Sequence, residues 1–239
     1  MNFKLSPNFL DSAFRKLTKN EFTSFQNLYT NFVQKNSELN LSAIRDEQGI
    51  WEKHFYDALL GAEFISDSDA KILDLGSGGG FPAFPLAIVF PEKKFFPFDS
   101  VGKKMKAAQE IAQKSGIENV STIVGRAEEL GQQQKYREQF DVVTVRAFAS
   151  FSVCLELAFP FVKVDGKILL YRGPESEDDA ELLTEAFGGF LRNRKVGKLP
   201  SGDQREIWEI VKLYPTEKRF PRGNGIPKSM PMTLEGFEF

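Results

Sequence analysis

The sequence predicts an α/β fold, in which a seven-stranded, mostly parallel sheet with helices on its faces follows an N-terminal helical subdomain. Two observations support this prediction. From Lys71 onward, apolar strand-like segments alternate with helix-like segments, which is typical of a doubly wound parallel sheet. The last two strand-like segments have no helix-length gap between them. Residues 200–203 (PSGD) lie there instead and predict the turn of an antiparallel hairpin.

The helical subdomain is predicted over residues 1–68. Thr18 and Glu21 have the spacing of a capping box, and aromatic residues follow at helical spacing, which favours a packing face. These aromatic residues are Phe22, Phe25, Tyr29 and Phe32. A second helix is predicted over residues 49–65, and the polar residues 66–69 indicate a linker into the sheet. The sheet domain is predicted over 69–215. The basic, proline-containing tail, 216–239, is expected to be extended or mobile.

Within the sheet domain the alternation predicts seven strands and four helices. The predicted strands are Lys71–Leu75, Lys94–Phe98, Val120–Val124, Asp141–Arg146, Lys167–Tyr171, Phe190–Lys198 and Glu206–Leu213. The predicted helices are Pro85–Val89, Gly102–Lys114, Ser150–Phe161 and Asp178–Phe187.

Composition restricts the class of protein. The 239 residues are 41% hydrophobic and 27% charged, with a net charge of −2, which is ordinary for a soluble globular protein. No run reaches the roughly 18 apolar residues of a membrane span, and the N-terminus lacks a signal-peptide pattern, so we expect a cytoplasmic protein with no membrane partner. The single cysteine, Cys154, excludes an intrachain disulfide and a Cys-rich zinc site, and we expect it to be buried.

The most informative segment is Lys71–Ile88 (KILDLGSGGGFPAFPLAI). A strand-like run breaks at Gly76, Gly78 and Gly80 before a helix-like segment, so backbone N–H groups can approach a ligand closely. The dinucleotide fingerprint G-x-G-x-x-G fails in its first register, because Phe81 occupies the third glycine position. In the second register a proline falls inside the phosphate-binding turn. The run fits better to acid-x-Gly-x-Gly-x-Gly, which resembles the first motif of class I S-adenosylmethionine (SAM) methyltransferases.

A carboxylate follows the second predicted strand. Asp99 lies 23 residues after Gly76, close to the offset of about 20 expected for an acid that accepts hydrogen bonds from ribose hydroxyls. The alternative is a capping or turn residue before the next helix. The upstream glycine loop favours the ribose role.

From about Leu39 to Leu213 the chain resembles the RsmG (GidB) methyltransferases of bacteria, which make 7-methylguanine in 16S ribosomal RNA. The segments that carry the resemblance are Leu39–Arg45 (LNLSAIR), His54–Leu59 (HFYDAL), Gly76–Pro85 (GSGGGFPAFP), Asp99–Lys104 (DSVGKK), Gly125–Glu129 (GRAEE) and Val145–Ala149 (VRAFA). The chain departs from the family pattern at four places. Gly79 replaces a frequent Pro, Ala83 a Gly and Val145 a Ser, and Arg172 stands where the family often has Lys.

The resemblance implies a class I SAM methyltransferase with SAM as methyl donor and 16S rRNA, or the 30S subunit or its precursor, as partner. It implies that the SAM site includes Gly76, Gly78, Gly80, Phe81, Asp99, Ala127, Glu128 and Arg146. In this assignment Asp99 holds the ribose, and Ala127 and Glu128 flank the adenine. Arg146 faces the substrate and is also the predicted catalytic residue. No metal site is predicted, and a monomer is expected.

The chemistry implied by the resemblance makes few demands on side chains. Nitrogen 7 of guanine has a free lone pair, so the expected catalysis is proximity and orientation, worth up to roughly 7–11 kcal/mol, without a general base. Arg146 is predicted to position the guanine or an adjacent phosphate; the alternative is an ion pair with a nearby acid. We interpret His54 and Asp57 as holding the helical region against the sheet. The basic tail is a candidate RNA-binding arm that orders on binding.

Three other functions remain open at this point: a SAM-dependent methyltransferase acting on another RNA or a small molecule, an NAD-dependent oxidoreductase, and a non-catalytic RNA-binding factor. Intact Asp74, Gly76, Gly78, Gly80 and Asp99 disfavour the last.

Overall fold

The computed structural model describes residues 9–146, 149–174 and 179–237. The strands are β1 (Lys71–Leu75), β2 (Lys94–Asp99), β3 (Ile123–Val124), β4 (Phe140–Arg146), β5 (Val162–Arg172), β6 (Gly189–Lys198) and β7 (Gln204–Lys212). The α-helices are α1 (Lys19–Leu39), α2 (Glu47–Ile50), α3 (Asp57–Leu59), α4 (Ala83–Val89), α5 (Gly102–Lys114), α6 (Ala127–Leu130), α7 (Phe151–Ala158), α8 (Ala180–Ala186) and α9 (Ile226–Ser229). A π-helical turn (Trp51–Tyr56) joins α2 to α3, and short 3₁₀ turns cover Ala62–Phe64 and Leu234–Gly236.

The seven strands form one sheet in the order β3-β2-β1-β4-β5-β7-β6. Neighbours among β1 to β5 pair in parallel, and β7 is antiparallel to both β5 and β6, which confirms the predicted terminal hairpin. Strand β1 lies between β2 and β4 and is covered on both faces, which explains its almost continuous apolar sequence. The parallel strands all end at one edge of the sheet, so the residues that follow them are brought together there.

Some element boundaries differ from the prediction. Strand β5 begins at Val162 rather than Lys167, because its first residues pair with Phe140 across a register shift. The single helix predicted over 49–65 is a succession of α, π and 3₁₀ turns. The short helix α6 was not predicted. The predicted start of α8, Asp178, lies outside the described residues.

The N-terminal helices pack on one face of the sheet. Helix α1 begins with the predicted capping box: Thr18 Oγ1 accepts the N–H of Glu21 at 3.2 Å, and the Glu21 carboxylate accepts the N–H of Thr18 at 2.7 Å. Its apolar side contacts α4 and α5, and Phe25 and Phe32 are fully buried there. The aromatic packing face predicted for this helix is therefore confirmed, and one hydrophobic core includes residues from α1 to β1 and α5.

The C-terminal tail packs against the opposite face, whereas the sequence predicted an extended or mobile segment. Two of its aromatic side chains, Phe220 and Phe237, are buried against Phe187, with ring centroids 5.1 and 4.9 Å from that ring. Arg222 is paired with Glu156 of α7, which is fully buried: Nη2 lies 2.6 Å from Oε2, and Nε donates to Oε1 at 2.9 Å. The prediction of mobility was wrong because it considered the prolines and not these anchors.

No helix in the described part of the chain is long and apolar enough to cross a membrane. Among the same residues, no group of three or more His, Cys, Asp or Glu side chains is arranged to hold a metal ion. Cys154 is buried, as predicted.

The pairing of Arg222 with Glu156 yields a stability prediction. Arg222→Ala leaves a fully buried carboxylate without its guanidinium partner, and breaking such a pair costs about 3–5 kcal/mol. We expect a decrease of this order in the free energy of unfolding measured by urea denaturation. Lys218→Ala, at a neighbouring basic residue of the tail, is the control and should change it by less than about 0.5 kcal/mol. Equal effects of the two substitutions would contradict the role given to the buried pair.

Candidate functional site

A cavity of about 570 Å³ opens at the carboxyl edge of the sheet, where the parallel strands end. Its wall includes Gly76, Asp99, Ala127 and Glu128, four of the eight residues predicted for the cofactor site. Gly76 follows β1, Asp99 ends β2, and Ala127 and Glu128 follow β3, so the parallel arrangement brings them to one place. The cavity is large enough for a nucleoside-sized ligand.

The glycine loop after β1 adopts a backbone that other residues rarely adopt. Gly76, Gly78 and Gly80 have φ angles of +74°, +56° and +99°. A Cβ added at Gly80 would lie 2.0 Å from the Phe84 ring, so this glycine is required by packing. A Cβ added at Gly78 would meet no atom within 4 Å, so here the backbone faces open space that a ligand can approach.

Asp74, at the fourth position of β1, holds this loop in place. Its carboxylate is 1% exposed and accepts hydrogen bonds from the Ser77 hydroxyl, from Thr144 Oγ1 at 2.9 Å and from the N–H of Ala83 at 3.3 Å. Burial raises the pKa of Asp74 to about 6, although these hydrogen bonds and the charge of Arg146 favour the ionised form. Since Asp74 is enclosed and is not among the described residues that line the cavity, it supports the site from within the sheet.

Asp99, the last residue of β2, is fixed by two backbone donors. Its Oδ1 accepts the N–H of Val101 at 2.9 Å, and its Oδ2 accepts the N–H of Gly78 at 3.2 Å. The turn-capping role considered as an alternative is therefore present together with a place on the cavity wall. Each carboxylate oxygen has a second lone pair, so Asp99 keeps the capacity to accept hydrogen bonds from a ligand.

Ala127 and Glu128, in α6, form another part of the wall. Glu128 Oε1 accepts hydrogen bonds from Arg126 Nη2 at 3.1 Å and from the N–H of Gly225, in the tail, at 3.0 Å. Burial acts to raise the pKa of Glu128, but these donors outweigh it, and the pKa lies below its ordinary value. The carboxylate is thus ionised at neutral pH and joins α6 to the C-terminal tail.

Phe81 and Gly80 lie elsewhere. Phe81 is 4% exposed and packs among aromatic rings, in T-shaped contact with Phe32 at 4.9 Å and stacked on His54 at 4.5 Å with an interplanar angle of 5°. Among the described residues that line the cavity, neither Phe81 nor Gly80 is present. Gly80 therefore turns the loop into α4 against Phe84, and Phe81 connects the loop to the N-terminal helices.

Arg146, at the end of β4, is also outside the described cavity wall. Its guanidinium donates to the backbone oxygen of Lys53 at 2.7 Å, to Asp57 Oδ2 at 3.0 Å and to His54 Nδ1 at 3.2 Å. Arg205 of β7 forms a second ion pair with Asp57, with Nε 3.4 Å from Oδ1. As predicted, His54 and Asp57 link the helical region to the sheet, and the ion pair considered as the alternative for Arg146 is formed.

His54 is held in one neutral tautomer. Because Arg146 can only donate, Nδ1 is the acceptor, and Nε2 carries the proton directed to Ser42 Oγ at 2.9 Å. Burial, together with the charge of Arg146, lowers its pKa from 6.5 to about 3. A neutral, enclosed imidazole of this kind serves packing and orientation rather than proton transfer.

Sequence reasoning missed three contributors to this region. Arg205 and the backbone of Lys53 reach Asp57 and Arg146 from distant segments, and the tail residues Gly225, Lys228 and Ser229 line the cavity. Two features of the sequence could have predicted that the tail docks: its aromatic residues, and Glu156, a single acid in an apolar helix that calls for a basic partner. Ala147 and Phe148, which belong to the segment Val145–Ala149 that resembles the family, lie outside the described residues.

Comparison with known proteins agrees with these observations. Residues 21–202 match a family model, GidB, described as rRNA small subunit methyltransferase G. Ribosomal RNA small subunit methyltransferase G of Leuconostoc citreum is 38% identical over 229 residues, covering 93% of this chain and 96% of the relative. The protein of the same name from Lactococcus lactis is 36% identical over 222 residues, covering 91% and 93%.

Solved structures show the same fold. A SAM-dependent methyltransferase from Aquifex aeolicus aligns with a TM-score of 0.53 at 16% identity, over 75% of this chain and 98% of that one. A variant of the 16S rRNA (adenine(1408)-N(1))-methyltransferase from Catenulisporales acidiphilia aligns with a TM-score of 0.52 at 16% identity, over 65% and 90%. At these identities the likeness concerns the fold alone. It confirms the predicted class I SAM methyltransferase architecture.

The enclosure of His54 leads to a prediction that is simple to measure, because it is the only histidine in the chain. We expect the single imidazole C2–H resonance in the proton NMR spectrum of the folded protein to keep a constant shift between pH 5.5 and 8. In urea-unfolded protein the same resonance should titrate near the ordinary value of about 6.5. A midpoint between pH 6 and 7 in the folded protein would contradict the enclosed, arginine-facing environment described above.

Proposed function

Because the chain belongs to the rRNA small subunit methyltransferase G (GidB) family, we propose that it transfers the methyl group of SAM to nitrogen 7 of a guanine in 16S ribosomal RNA. The observation that carries this proposal is the extent of the similarity. Relatives with this name match at 35–38% identity over at least nine-tenths of both chains. The match therefore includes the flanking segments as well as the sheet that many methyltransferases share.

The geometry of the cavity supports SAM as the methyl donor. Gly76 and Asp99 lie on the cavity wall. Gly78 is not among the described residues of the wall, but its backbone borders open space and its N–H donates to Asp99 Oδ2 at 3.2 Å. In our proposal Gly76 and Gly78 border the aminoacyl portion, Asp99 binds the ribose hydroxyls, and Ala127 and Glu128 flank the adenine. Phe81 and Gly80 act indirectly, by supporting the loop.

When bound, SAM supplies a methyl group made electrophilic by its sulfonium. The residues present in the structure fit a reaction that needs no general base. Three ionisable groups near the site have strongly shifted pKa values, and all are enclosed and hydrogen-bonded within the protein: Asp74, His54 and Tyr171. The protein therefore contributes orientation: it holds the donor in the cavity and the acceptor base in line with it, since the lone pair of guanine nitrogen 7 is already free.

Arg146 is our candidate for orienting the acceptor. Its side chain is 16% exposed, at the same carboxyl edge as the cavity, and Asp57, His54 and the Lys53 carbonyl fix its direction. An arginine held in this way loses little conformational freedom when it binds a base or a phosphate. Arg146 can therefore form the ion pair with Asp57 and also orient the guanine, because the ion pair fixes the guanidinium in advance.

Transfer of tritium from labelled SAM to 30S subunits that lack the modification tests the activity, and mapping of the labelled base tests the position. We expect label on nitrogen 7 of one guanine in 16S rRNA.

Asp99→Asn should weaken donor binding by about 10- to 100-fold, because a hydrogen bond to a charged group is worth about 1.5–3 kcal/mol. Asp67→Asn, at an exposed position, is the control. Thermal stabilisation by NAD and not by SAM or S-adenosylhomocysteine would instead favour the oxidoreductase.

Arg146→Lys tests whether Arg146 positions the methyl acceptor or binds the methyl donor. Lysine keeps the charge but loses the planar, bidentate geometry, so we expect methyl transfer to fall by about 10- to 100-fold through a single positioning contact of 1.4–2.8 kcal/mol. Because Arg146 is outside the described cavity wall, calorimetric affinity for S-adenosylhomocysteine should stay within about twofold. Arg15→Lys, at another arginine that forms an ion pair, is the control. Unchanged transfer would remove Arg146 from the acceptor site, whereas loss of donor affinity would return it to the cofactor site.

A further inference from the structure

The tail segment Gly225–Ser229, which includes helix α9, forms one side of the cavity. Gly225, Lys228 and Ser229 are part of its wall, together with residues of α6 and α7. The N–H of Gly225 donates to Glu128 at 3.0 Å, so the segment lies at the part of the cavity where Glu128 is expected to flank adenine. Every other structural element of the wall belongs to the sheet domain.

The segment is fixed on both sides. Before it, Arg222 is held by the buried carboxylate of Glu156, and Asn224 Nδ2 donates to Glu129. After it, the Met232 carbonyl accepts the hydroxyl hydrogen bond of Ser152 at 2.6 Å. Glu129 is in α6, and Ser152 and Glu156 are in α7. The same two helices therefore line the cavity and anchor its C-terminal wall.

The chemistry of the segment suits the face of a flat, uncharged ring. Gly225 presents backbone without a side chain, with φ of +78° and no atom within 4 Å of an added Cβ. Lys228 is exposed, lines the cavity and makes no ion pair with any described residue. A lysine in such a position can lay its methylene stem on apolar surface while its ammonium stays hydrated. Ala127, Val153 and Leu157, in the helices on which the segment docks, add apolar side chains to the same wall. Together these groups give this part of the cavity a largely apolar lining.

We propose that Gly225–Ser229 is part of the methyl-donor site and covers the adenosine end of the cavity, so that donor affinity depends on the docked C-terminal tail. This inference rests on the proposed function, since it takes the cavity to be the SAM site. It assigns the tail a role different from that of a free RNA-binding arm. The positive charge of the tail is still available to RNA, because the side of Lys228 that covers the donor is its stem.

The test is isothermal titration calorimetry of the full chain with S-adenosylhomocysteine. Ser229→Trp places a large side chain on the cavity wall and should weaken binding at least tenfold. Met230→Trp, at the next residue, whose side chain is 67% exposed and outside the described wall, is the matched control and should stay within twofold. Lys228→Ala should weaken binding about fivefold by removing roughly 40 Å² of apolar cover, and Lys228→Met should weaken it less.

The outcomes distinguish the two proposals. If wild-type protein binds and Ser229→Trp binds equally well, the tail does not cover the donor and this inference fails, while the proposed function stands. The inference also fails if Met230→Trp weakens binding as much as Ser229→Trp, because the effect is then a general disturbance of the tail. If wild-type protein binds no S-adenosylhomocysteine, the proposed function is contradicted and the inference fails with it. The unfolding temperature of each variant is measured as well. If Ser229→Trp lowers it, Lys228→Ala decides, and wild-type affinity of that variant overturns the inference.

Discussion

The buried carboxylate of Asp74 joins the three elements from which the site is made. Its strand, β1, is central in the sheet, and its acceptors are used by the glycine loop through Ser77, by the start of α4 through Ala83 and by β4 through Thr144. Together with the hydrogen bonds that the N–H groups of Gly76 and Ser77 donate to the Phe98 carbonyl, these contacts fix the path of the loop. The position of Gly78 beside Asp99, and hence the shape of the cavity, follows from this arrangement.

Asp74 and His54 make the stability of the fold depend on pH in opposite directions. Because the pKa of Asp74 is raised from 3.8 to about 6, its contribution to stability declines as the pH rises through that interval, by about 3 kcal/mol in total. The pKa of His54 is lowered from 6.5 to about 3, so the unfolded chain binds the extra proton and stability declines as the pH falls through that interval, by about 5 kcal/mol. Between pH 4 and 6 the two effects act in opposite directions and largely offset each other.

The sequence predicted correctly those features that depend on residues close together in the chain. The capping box of α1, the alternation that defines the sheet, the terminal hairpin and the placement of Asp99 at the end of β2 belong to this class. Contacts between distant segments were beyond it. Gly225 and Glu128 are 97 positions apart, and Arg146 and Lys53 are 93 apart, so no spacing rule relates them. Phe81 illustrates the same limit, because its motif indicates a loop near a ligand but not which way the ring turns.

The order in which the site is assembled follows from one feature of the cavity. Its wall includes Gly225–Ser229, a segment that follows every strand of the sheet in the sequence. A nascent chain can therefore pair all seven strands and still have an open cavity until the segment after β7 has docked on α7. A chain that ended prematurely after β7 would retain the strands but lack both this wall and the arginine that neutralises Glu156. The cavity is thus complete only when the segment after the sheet has docked.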